Sequence, residues 1–321
     1  MVLPANLEMQ ADICQLKCLA MSFQHQLDDT RPHGSPRVTE DTQPVRRRRR
    51  FGLLRSLGLL AALAIILALG LALLPGRTNV LLLGIDRAPE GTAAGRSDTM
   101  MLFTFKPLDP YVGVLAIPRD LWLPLPGVGQ NRINTAHYFA EINQPGSGPK
   151  AAAHAVETNF GVDVDYTLRI QFTGLVEVVD ALGGVVVDLP EASSGYPAGR
   201  NHLDGEAALA FVRDRATSDD FSRMQRGQLF IKGLLKTMLA PASWPRLPVA
   251  LTELFTVVDT DIPAWLWPRL AVALGRVGVD GIDSHVLQRG QVVGFVTTEG
   301  AQVLQPVWSE INPVLLEVFG Q

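Results

Sequence analysis

Short apolar runs alternate with amphipathic stretches along residues 79–240, and this alternation predicts both the elements and the fold class. Strands are predicted where apolar residues stand together, and helices where they recur every three or four positions. The predicted strands are Asn79–Leu83, Met100–Phe105, Val112–Ala116, Asp165–Phe172 and Gly184–Asp188. The predicted helices between them are Ile133–Glu141, Lys150–Phe160 and Gly174–Leu182. Such alternation favours an α/β fold, an α-β-α sandwich with helices on both faces of one mixed central sheet.

The pattern becomes helical after residue 204. Residues 205–240 have helical periodicity that is interrupted near Thr217–Asp220, and residues 241–321 contain prolines, tryptophans and one apolar strand, Gln291–Val296. Neither an internal repeat nor a persuasive domain boundary is found after residue 79. We therefore interpret residues 79–240 as a domain core and residues 241–321 as the C-terminal part of the same domain.

The longest apolar run precedes the predicted sheet. Leu57–Leu74 contains 18 residues and no charged side chain, close to the roughly 17–25 that a membrane-spanning helix needs. Arginines occupy positions 46–50 on its N-terminal side, and only Arg77 follows it closely. The positive-inside rule then predicts a single transmembrane helix over residues 52–74 in the cell membrane, with the N-terminus in the cytoplasm and the C-terminal domain outside it.

A cleaved signal peptide is the alternative interpretation of this segment, because basic, apolar and small-residue regions follow one another in that order. The long leader before the apolar run and the lack of a small-x-small cleavage site before Pro75 favour an uncleaved anchor. Residues 1–50 are predicted to be a disordered cytoplasmic tail that ends in the basic block. Because a topology signal explains those arginines, we expect no nucleic-acid partner.

The composition, with 47% hydrophobic residues and a net charge of −4, is that of an ordinary globular protein. Both cysteines, Cys14 and Cys18, precede the apolar run, and a lone C-x-x-x-C lacks the second ligand pair that a zinc site uses. The predicted external part therefore has no disulfide. Its core alone must stabilise it, which about 240 residues can do.

Charged residues collect where the predicted elements end. Asp86 follows the first strand, Arg96 and Asp98 precede the second, and Arg119 follows the third. The helical region adds Arg213 and Arg215 at the end of one helix and Asp220, Arg223 and Arg226 at the start of the next. The sequence contains no Walker-type phosphate loop, H-E-x-x-H or G-x-S-x-G, so the usual anchors of nucleotide, zincin and serine-hydrolase chemistry are missing.

This combination of residues suits an anion together with a hard cation. Two aspartates at neighbouring strand ends can share Mg²⁺ through oxygen ligands when phosphate is also bound. Planar guanidinium groups donate paired hydrogen bonds to phosphate oxygens, and Arg223 and Arg226 share one face of a helix's first turn, where the dipole already favours anions. The alternative is that each charge is a solvated strand-end residue, paired on the surface with a neighbour. The number of arginines favours a clamp suited to phosphoryl transfer.

Seven segments resemble the LytR-CpsA-Psr family of bacterial cell-envelope proteins. In order over residues 79–230 they read "NVLLLGIDR", "GRSDTMML", "VLAIPRDLWLPLPG", "NRINTAHYF", "VVDALGGVVVDLP", "HLDGEAALAFVRDR" and "DDFSRMQRGQLF". A further segment near residue 260, "VVDTDIPAWLWPRL", is similar to the C-terminal part of that family. The family's usual layout is also a membrane anchor followed by an external domain. The resemblance implies that residues 79–240 are the catalytic core.

The resemblance implies a membrane-attached, Mg²⁺-dependent phosphotransferase. Such an enzyme moves a glycopolymer, with one phosphate, from a polyprenyl-pyrophosphate carrier to a sugar hydroxyl of peptidoglycan or a similar acceptor. Two alternatives stay open at this point. One is an envelope-linked regulatory protein of the transcription-attenuator type, and the other is a polyprenyl-pyrophosphate hydrolase that uses water as acceptor.

The resemblance also implies roles for individual residues. Asp86 and Asp98 would bind Mg²⁺, with Mn²⁺ as a substitute, and Asp98 would help to deprotonate the acceptor hydroxyl. Arg119 and Asp220 would complete the catalytic set. The pyrophosphate would be bound by Arg96, Arg119, Arg213, Arg215, Arg223 and Arg226.

Two positions depart from the family's pattern. The family usually reads Arg-Gln-Gln where this chain has Arg226-Gly227-Gln228, and its lysine before "IN" is Arg132 here. The missing glutamine is expected to leave room for a water or a different sugar, to be replaced by Gln225 or Gln228, or to reduce the activity. The change at Arg132 preserves the charge.

Overall fold

The computed structural model describes residues 56–60, 62–63, 66, 70, 76–86, 88, 93–214 and 220–320. Residues 56–60 are helical. Among the residues in these ranges, no helix is both long and apolar enough to cross a membrane. The predicted tail, much of the predicted span over residues 52–74, and Arg215 lie outside the described residues, so those assignments stay predictions.

The described chain from Gly76 onward contains strands and helices, beginning with five successive strands. The strands are β1 (Thr78–Ile85), β2 (Ser97–Lys106), β3 (Tyr111–Ala116), β4 (Trp122–Leu125), β5 (Gly129–Arg132), β6 (Tyr166–Gln171), β7 (Val185–Leu189), β8 (Gly199–Leu203), β9 (Val258–Thr260), β10 (Asp283–Val286), β11 (Val292–Val296) and β12 (Gln302–Pro306). The helices are α1 (Thr135–Asn143), α2 (Gly148–Phe160), α3 (Leu175–Leu182), α4 (Gly205–Arg213), α5 (Asp220–Leu239), α6 (Leu247–Val257), α7 (Trp267–Val277) and α8 (Trp308–Phe319).

A six-stranded mixed sheet lies at the centre, in the order β10-β3-β2-β1-β6-β9. Strand β2 pairs antiparallel with both β1 and β3, whereas β6 runs parallel to β1 and β10 runs parallel to β3. The inner strands β1, β2 and β3 are those with the most continuous apolar runs. This agrees with their burial on both faces, which leaves no solvent side for polar residues.

Helices cover both faces of this sheet, which confirms the predicted sandwich. Leu81 and Leu83 of β1 belong to a core cluster that includes residues of α1, α2 and α8. Val80, the residue before Leu81, points to the opposite face of the sheet. There it belongs to a second core cluster, which includes residues of α7 and is covered by residues of α5. Opposite faces are reached because successive side chains of a strand alternate.

The predicted strand Gly184–Asp188 exists as β7, but its assignment to a single central sheet is wrong. It pairs with β8 in a separate two-stranded sheet. The physical reason is that β9 pairs with β6 and occupies that edge of the central sheet. Strand β7 instead packs with α3, α4 and α5 around a core cluster of its own, which includes Val185 and Phe211.

Candidate functional site

A cavity of about 920 Å³ opens where β2 begins and β3 ends. Five charged side chains line it: Arg96, Asp98, Arg119, Asp120 and Arg132. We call it the charged cavity. Three arginines against two aspartates leave one positive charge in excess, and guanidinium groups bind phosphate oxygens through paired hydrogen bonds. The cavity therefore suits an anionic ligand.

Asp98 is placed in this cavity by an irregularity of the sheet. Ile85 pairs with Ser97 and Gly84 pairs with Thr99, so Asp98 is the extra residue of a β-bulge. A β-bulge changes the direction of a side chain that would point to one fixed face of the sheet in a regular strand. The Asp98 side chain is 17% exposed and accepts a hydrogen bond of 2.5 Å from Nη1 of Arg119.

Arg119 lies after β3, where Pro118 interrupts the strand, and it joins the two carboxylates of the cavity. Its Nη1 donates to Asp98, and its Nε donates to Asp120 Oδ2 at 3.3 Å. Asp120 Oδ1 in turn lies 3.1 Å from Nε of Arg132. The four side chains form an alternating row of charges that holds Arg119 between two acids. Sequence reasoning selected Asp98 and Arg119 but not Asp120 or Arg132, although both stand in the quoted segments.

Asp86 and Arg213 form a second ion pair, from the end of β1 and the end of α4. Arg213 Nε donates to Asp86 Oδ1, and its Nη2 lies 3.4 Å from the Asp86 carbonyl oxygen. The Asp86 side chain is only 6% exposed, and that of Arg213 is 35% exposed. Arg213 thus pairs across the fold with the strand-end aspartate rather than with a surface neighbour. Asp86 follows Ile85 at the end of β1, and Ile85 pairs with Ser97, which precedes Asp98, so the two predicted metal ligands lie at the same end of these paired strands.

The remaining predicted residues are spread along the start of α5 and the cavity rim. Arg96 is exposed and lines the charged cavity, Asp220 is the first residue of α5, and Arg223 is half-buried. Arg226 does not line that cavity. It is 2% exposed, and its Nη2 donates to the Asp214 carbonyl at 2.5 Å, so it fixes the segment just after Arg213.

Gly227 and Gln228, the positions at which the family usually has two glutamines, lie on α5 and face the sheet. A Cβ atom added at Gly227 would meet Cε of Met101, a core residue of β2, at 2.9 Å. Gln228 is buried, and its side-chain amide donates to the His285 carbonyl at 2.8 Å, which ties α5 to β10. Among the described side chains, the position of Gly227 therefore contacts the core and not the charged cavity.

The apolar wall of the charged cavity comes from a part of the chain that sequence reasoning did not connect with it. The hairpin β11–β12 contributes Phe295, Val296, Val303 and Leu304, and Tyr138 and Phe221 add aromatic rings. Two hydrogen bonds anchor the hairpin to the charged row, since Leu304 donates its backbone N–H to the Asp120 carbonyl at 2.9 Å and Arg132 donates to the Gln302 carbonyl at 2.8 Å.

A buried network holds the rim of the cavity beside Arg96. His137 is fully buried, and its Nδ1 donates to the Gly95 carbonyl at 2.8 Å while its Nε2 lies 3.3 Å from Nη1 of Arg169. Because an arginine can only donate, the imidazole is neutral with its proton on Nδ1. Arg169 also lies 3.1 Å from Glu141, whose carboxylate accepts the backbone N–H groups of residues 146 and 148.

Replacing His137 with Gln is expected to flatten the pH dependence of stability. Burial lowers the pKa of His137; the hydrogen bond to Gly95 opposes this, and Arg169 lowers it further. The ordinary pKa of histidine is about 6.5. Below that pH the unfolded chain binds a proton that the folded chain does not, so the free energy of unfolding decreases by up to about 1.4 kcal/mol for each unit by which the pH is lowered. Urea unfolding of the full chain in detergent at pH 7.5 and 5.5 measures the slope.

The exposed His154 provides the matched control for this measurement. Its side chain is 63% exposed on α2, so His154→Gln should keep the wild-type decline between pH 7.5 and 5.5. Equal slopes for wild type, His137→Gln and His154→Gln would contradict the assignment of a neutral, buried His137.

Asp86 and Asp98 carry the carboxylate oxygens that Mg²⁺ prefers; Asp98 lines the charged cavity, and Asp86 pairs with Arg213. That ion is usually bound through one or two carboxylates, and substrate phosphate oxygens and waters complete its octahedron. Within the described ranges there is no cluster of three or more histidine, cysteine, aspartate or glutamate side chains that could hold a metal ion.

Comparison with known proteins identifies relatives of the whole region around the charged cavity. A family model described as the LytR_cpsA_psr family matches residues 74–311. The polyisoprenyl-teichoic acid–peptidoglycan teichoic acid transferase TagU of Oceanobacillus iheyensis is 33% identical over 190 residues, which cover 57% of this chain and 58% of that protein. The protein of the same name from Enterococcus faecalis is 32% identical over 214 residues, which cover 63% of this chain and 68% of that protein.

A solved structure shares the fold. The crystal structure of TagV from B. subtilis superposes with a TM-score of 0.61 and 24% sequence identity, covering 77% of this chain and 98% of that one. The alignment with the first of the curated relatives spans 58% of that relative's length. The activity and substrates of that relative are therefore a matter of proposal for this chain.

Proposed function

The chain belongs to the LytR-CpsA-Psr family, and from this membership and the charged cavity we propose that it is a glycopolymer phosphotransferase. Its donor would be a glycopolymer on a polyprenyl-pyrophosphate carrier, and its acceptor a sugar hydroxyl of peptidoglycan or a similar wall polymer. The TagU relatives, whose names describe transfer of teichoic acid from a polyisoprenyl carrier to peptidoglycan, support this choice of substrates. The observation that carries the proposal is the row Asp98–Arg119–Asp120–Arg132 in one cavity.

The reaction follows from the charges of that cavity. The acceptor oxygen attacks the phosphorus that bears the glycopolymer, the bond from that phosphorus to the bridging oxygen breaks, and polyprenyl monophosphate leaves. Negative charge then develops on the phosphate oxygens and on the leaving group, where Arg96, Arg119 and Arg132 can donate hydrogen bonds. The proton of the acceptor hydroxyl has to pass to a base, for which Asp98 is the candidate within the cavity.

We propose Asp86 and Asp98 as the protein ligands of Mg²⁺ in this site. A bound magnesium ion would neutralise charge on the pyrophosphate and stabilise the leaving oxygen. Each of the two carboxylates accepts a hydrogen bond from a guanidinium, Asp98 from Arg119 and Asp86 from Arg213. Arg213 would then bring its guanidinium to the pyrophosphate from the side of Asp86, and Arg215, Asp220 and Arg223 are proposed to bind the pyrophosphate as well.

We also propose that residues 52–74 anchor the enzyme in the cell membrane with the domain from residue 76 outside. The support is the uncharged run Leu57–Leu74 behind a block of five arginines. An anchor at this place keeps the domain at the surface where a polyprenyl carrier is available.

Transfer can be tested directly with the full chain in detergent. The protein is mixed with Mg²⁺, a polyprenyl-pyrophosphate-linked oligosaccharide and a peptidoglycan oligosaccharide, and the products are separated by chromatography. We expect a glycan–acceptor conjugate and polyprenyl monophosphate. Release of monophosphate lipid at the same rate without acceptor would instead indicate a hydrolase, and absence of lipid binding would exclude both enzymatic functions.

Removal of divalent metal is expected to stop the transfer. With a chelator such as EDTA the rate should fall at least about 100-fold, because the pyrophosphate charge is no longer neutralised at the carboxylate pair. Added Mg²⁺ or Mn²⁺ should restore it. Asp86→Asn should raise the Mg²⁺ concentration for half-maximal rate by about tenfold, the equivalent of one weakened ligand. Full activity in EDTA would contradict the metal assignment.

A further inference from the structure

A second cavity lies behind the first turns of α5. It has a volume of about 660 Å³ and is enclosed by the segment Leu189–Pro197 on one side and by Ser222, Gln225, Arg226 and Leu229 of α5 on the other. We call it the neutral cavity, because its lining contains one acid, Glu191, and one base, Arg226. None of the residues that line it belongs to the charged row.

The wall opposite α5 is a tight turn with an unusual residue. Ser193 and Tyr196 exchange backbone hydrogen bonds of 3.0 and 2.9 Å, and the two residues between them, Ser194 and Gly195, have φ values of 55° and 82°. Two positive φ values define a type I′ turn, in which the first position usually holds Asn, Asp or Gly. A serine is unfavourable there. Its Oγ is nevertheless buried and has no hydrogen-bond partner within the described chain.

The polar groups of the neutral cavity suit an uncharged ligand with many hydroxyls. Ser193, Ser194, Tyr196 and Ser222 bring hydroxyl groups, and Gln225 brings an amide. Among the described residues of the lining, Arg226 is the only cation; it is 2% exposed and donates to the Asp214 carbonyl, so its guanidinium is already engaged by the protein. A buried, unsatisfied hydroxyl such as that of Ser194 is normally paired with water or a ligand.

The neutral cavity and the charged cavity are both lined by the first turns of α5. Phe221 of α5 lines the charged cavity, whereas Ser222, Gln225 and Arg226 line the neutral cavity. Phe221 and Gln225 are four residues apart and share one face of α5, so the two cavities are neighbours along the first turns of that helix. An oligosaccharide joined to a phosphate in the charged cavity can extend along these turns into the neutral cavity.

We propose that the neutral cavity is a saccharide subsite, which binds uncharged sugar units of a glycan next to the transferred phosphate. This inference rests on the proposed phosphotransferase function, because it assigns the substrate's sugars to a place beside that site. The sugars come either from the acceptor strand or from the donor polymer, and both present the same hydroxyl and acetamido chemistry to Gln225, Tyr196 and Ser194.

Chitotetraose, an uncharged β-1,4-linked N-acetylglucosamine oligomer, serves as the probe. Its binding to the full chain in detergent is measured by calorimetry for wild type, Gln225→Ala and Tyr196→Phe. Each variant should weaken binding about tenfold, the loss of one to two hydrogen bonds. Tyr196→Phe keeps the ring that packs on Phe211, so its fold is preserved. Gln305→Ala, at an exposed position of β12, is the matched control and should bind as wild type.

The source of the sugars is distinguished by two further measurements on the same variants. If the acceptor occupies the neutral cavity, the KM for peptidoglycan oligosaccharide rises about tenfold while binding of the donor lipid is unchanged. If the donor polymer occupies it, affinity falls for a polyprenyl pyrophosphate that carries a disaccharide but not for one without sugar.

The inference and the proposed function fail separately. If both variants weaken chitotetraose binding but no protein transfers glycan to an acceptor, the saccharide subsite is supported and the phosphotransferase function is contradicted. Transfer with wild-type kinetic constants in both variants, together with unchanged or absent chitotetraose binding, would overturn the subsite.

Discussion

Asp98→Asn is expected to lower the rate of glycopolymer transfer about 1000-fold while the domain stays folded. The substitution keeps the shape of the side chain at the bulge but removes its negative charge. In the wild-type protein this carboxylate accepts a 2.5 Å hydrogen bond from Arg119. Both proposed roles of the carboxylate are lost at once, since an amide is a poor ligand for Mg²⁺ and cannot take the acceptor's proton. Loss of one charge-stabilising group in an active site typically costs 100- to 1000-fold.

The measurement is initial transfer rate with saturating donor and acceptor, together with a thermal unfolding curve. Asp109→Asn is the matched control, because Asp109 is exposed in the turn between β2 and β3. It should retain wild-type activity. An Asp98→Asn protein within about threefold of wild type would show that Asp98 neither binds the metal nor moves the proton.

Arg119→Lys is expected to lower the transfer rate about 100-fold although the charge is kept. Arg119 spans two carboxylates with different nitrogens, Nη1 on Asp98 and Nε on Asp120. A lysine ammonium is a single point charge, so it can pair with one acid at a time and cannot present a planar fork to phosphate oxygens. The effect should appear in kcat more than in donor KM, because charge on the leaving phosphate grows in the transition state.

Arg132→Lys provides the comparison within the same cavity. Arg132 contacts Asp120 with Nε alone and uses Nη2 for the Gln302 carbonyl in the apolar wall. A lysine can retain the ion pair with Asp120, and we expect a loss of about threefold or less. Equal losses for Arg119→Lys and Arg132→Lys would show that the fork geometry of Arg119 has no special part in the reaction.

Sequence patterns predicted the centre of the fold better than its edges. Strands β1, β2 and β3 are buried on both faces, so their nearly continuous apolar runs predict them from the sequence. Strand β9 (VDT) and strand β10 (DSHV) are short and largely polar edge strands of the same sheet, and no periodicity distinguishes them from loops. The separate hairpin of β7 could not be foreseen either, because it depends on which strand occupies the edge beside β6.

The candidate site was predictable where it lies at strand ends and less so on helices. Asp98 and Arg119 meet because β2 and β3 are antiparallel neighbours, and the position of both residues at the ends of apolar runs was visible in the sequence. Arg223 and Arg226 were placed on one helix face by their spacing, but spacing does not reveal what that face packs against. Arg226 is buried against the Asp214 carbonyl, outside the charged cavity.

The apolar wall and the neutral cavity were also beyond sequence reasoning. Both are formed by segments distant in the chain, the hairpin β11–β12 in one case and the turn at Ser194 in the other. Only the three-dimensional fold brings them to α5 and the charged row. The sequence alone shows neither the orphan hydroxyl of Ser194 nor its positive φ.

The masses of the two products show most directly whether the charged cavity transfers a phosphate together with the glycan. The full chain is supplied with Mg²⁺, a polyprenyl-pyrophosphate-linked oligosaccharide and a peptidoglycan oligosaccharide, and both products are analysed by mass spectrometry. We expect polyprenyl monophosphate and a conjugate that contains one phosphate between glycan and acceptor, in equal amounts. Polyprenyl pyrophosphate together with a conjugate that lacks phosphate would contradict this expectation.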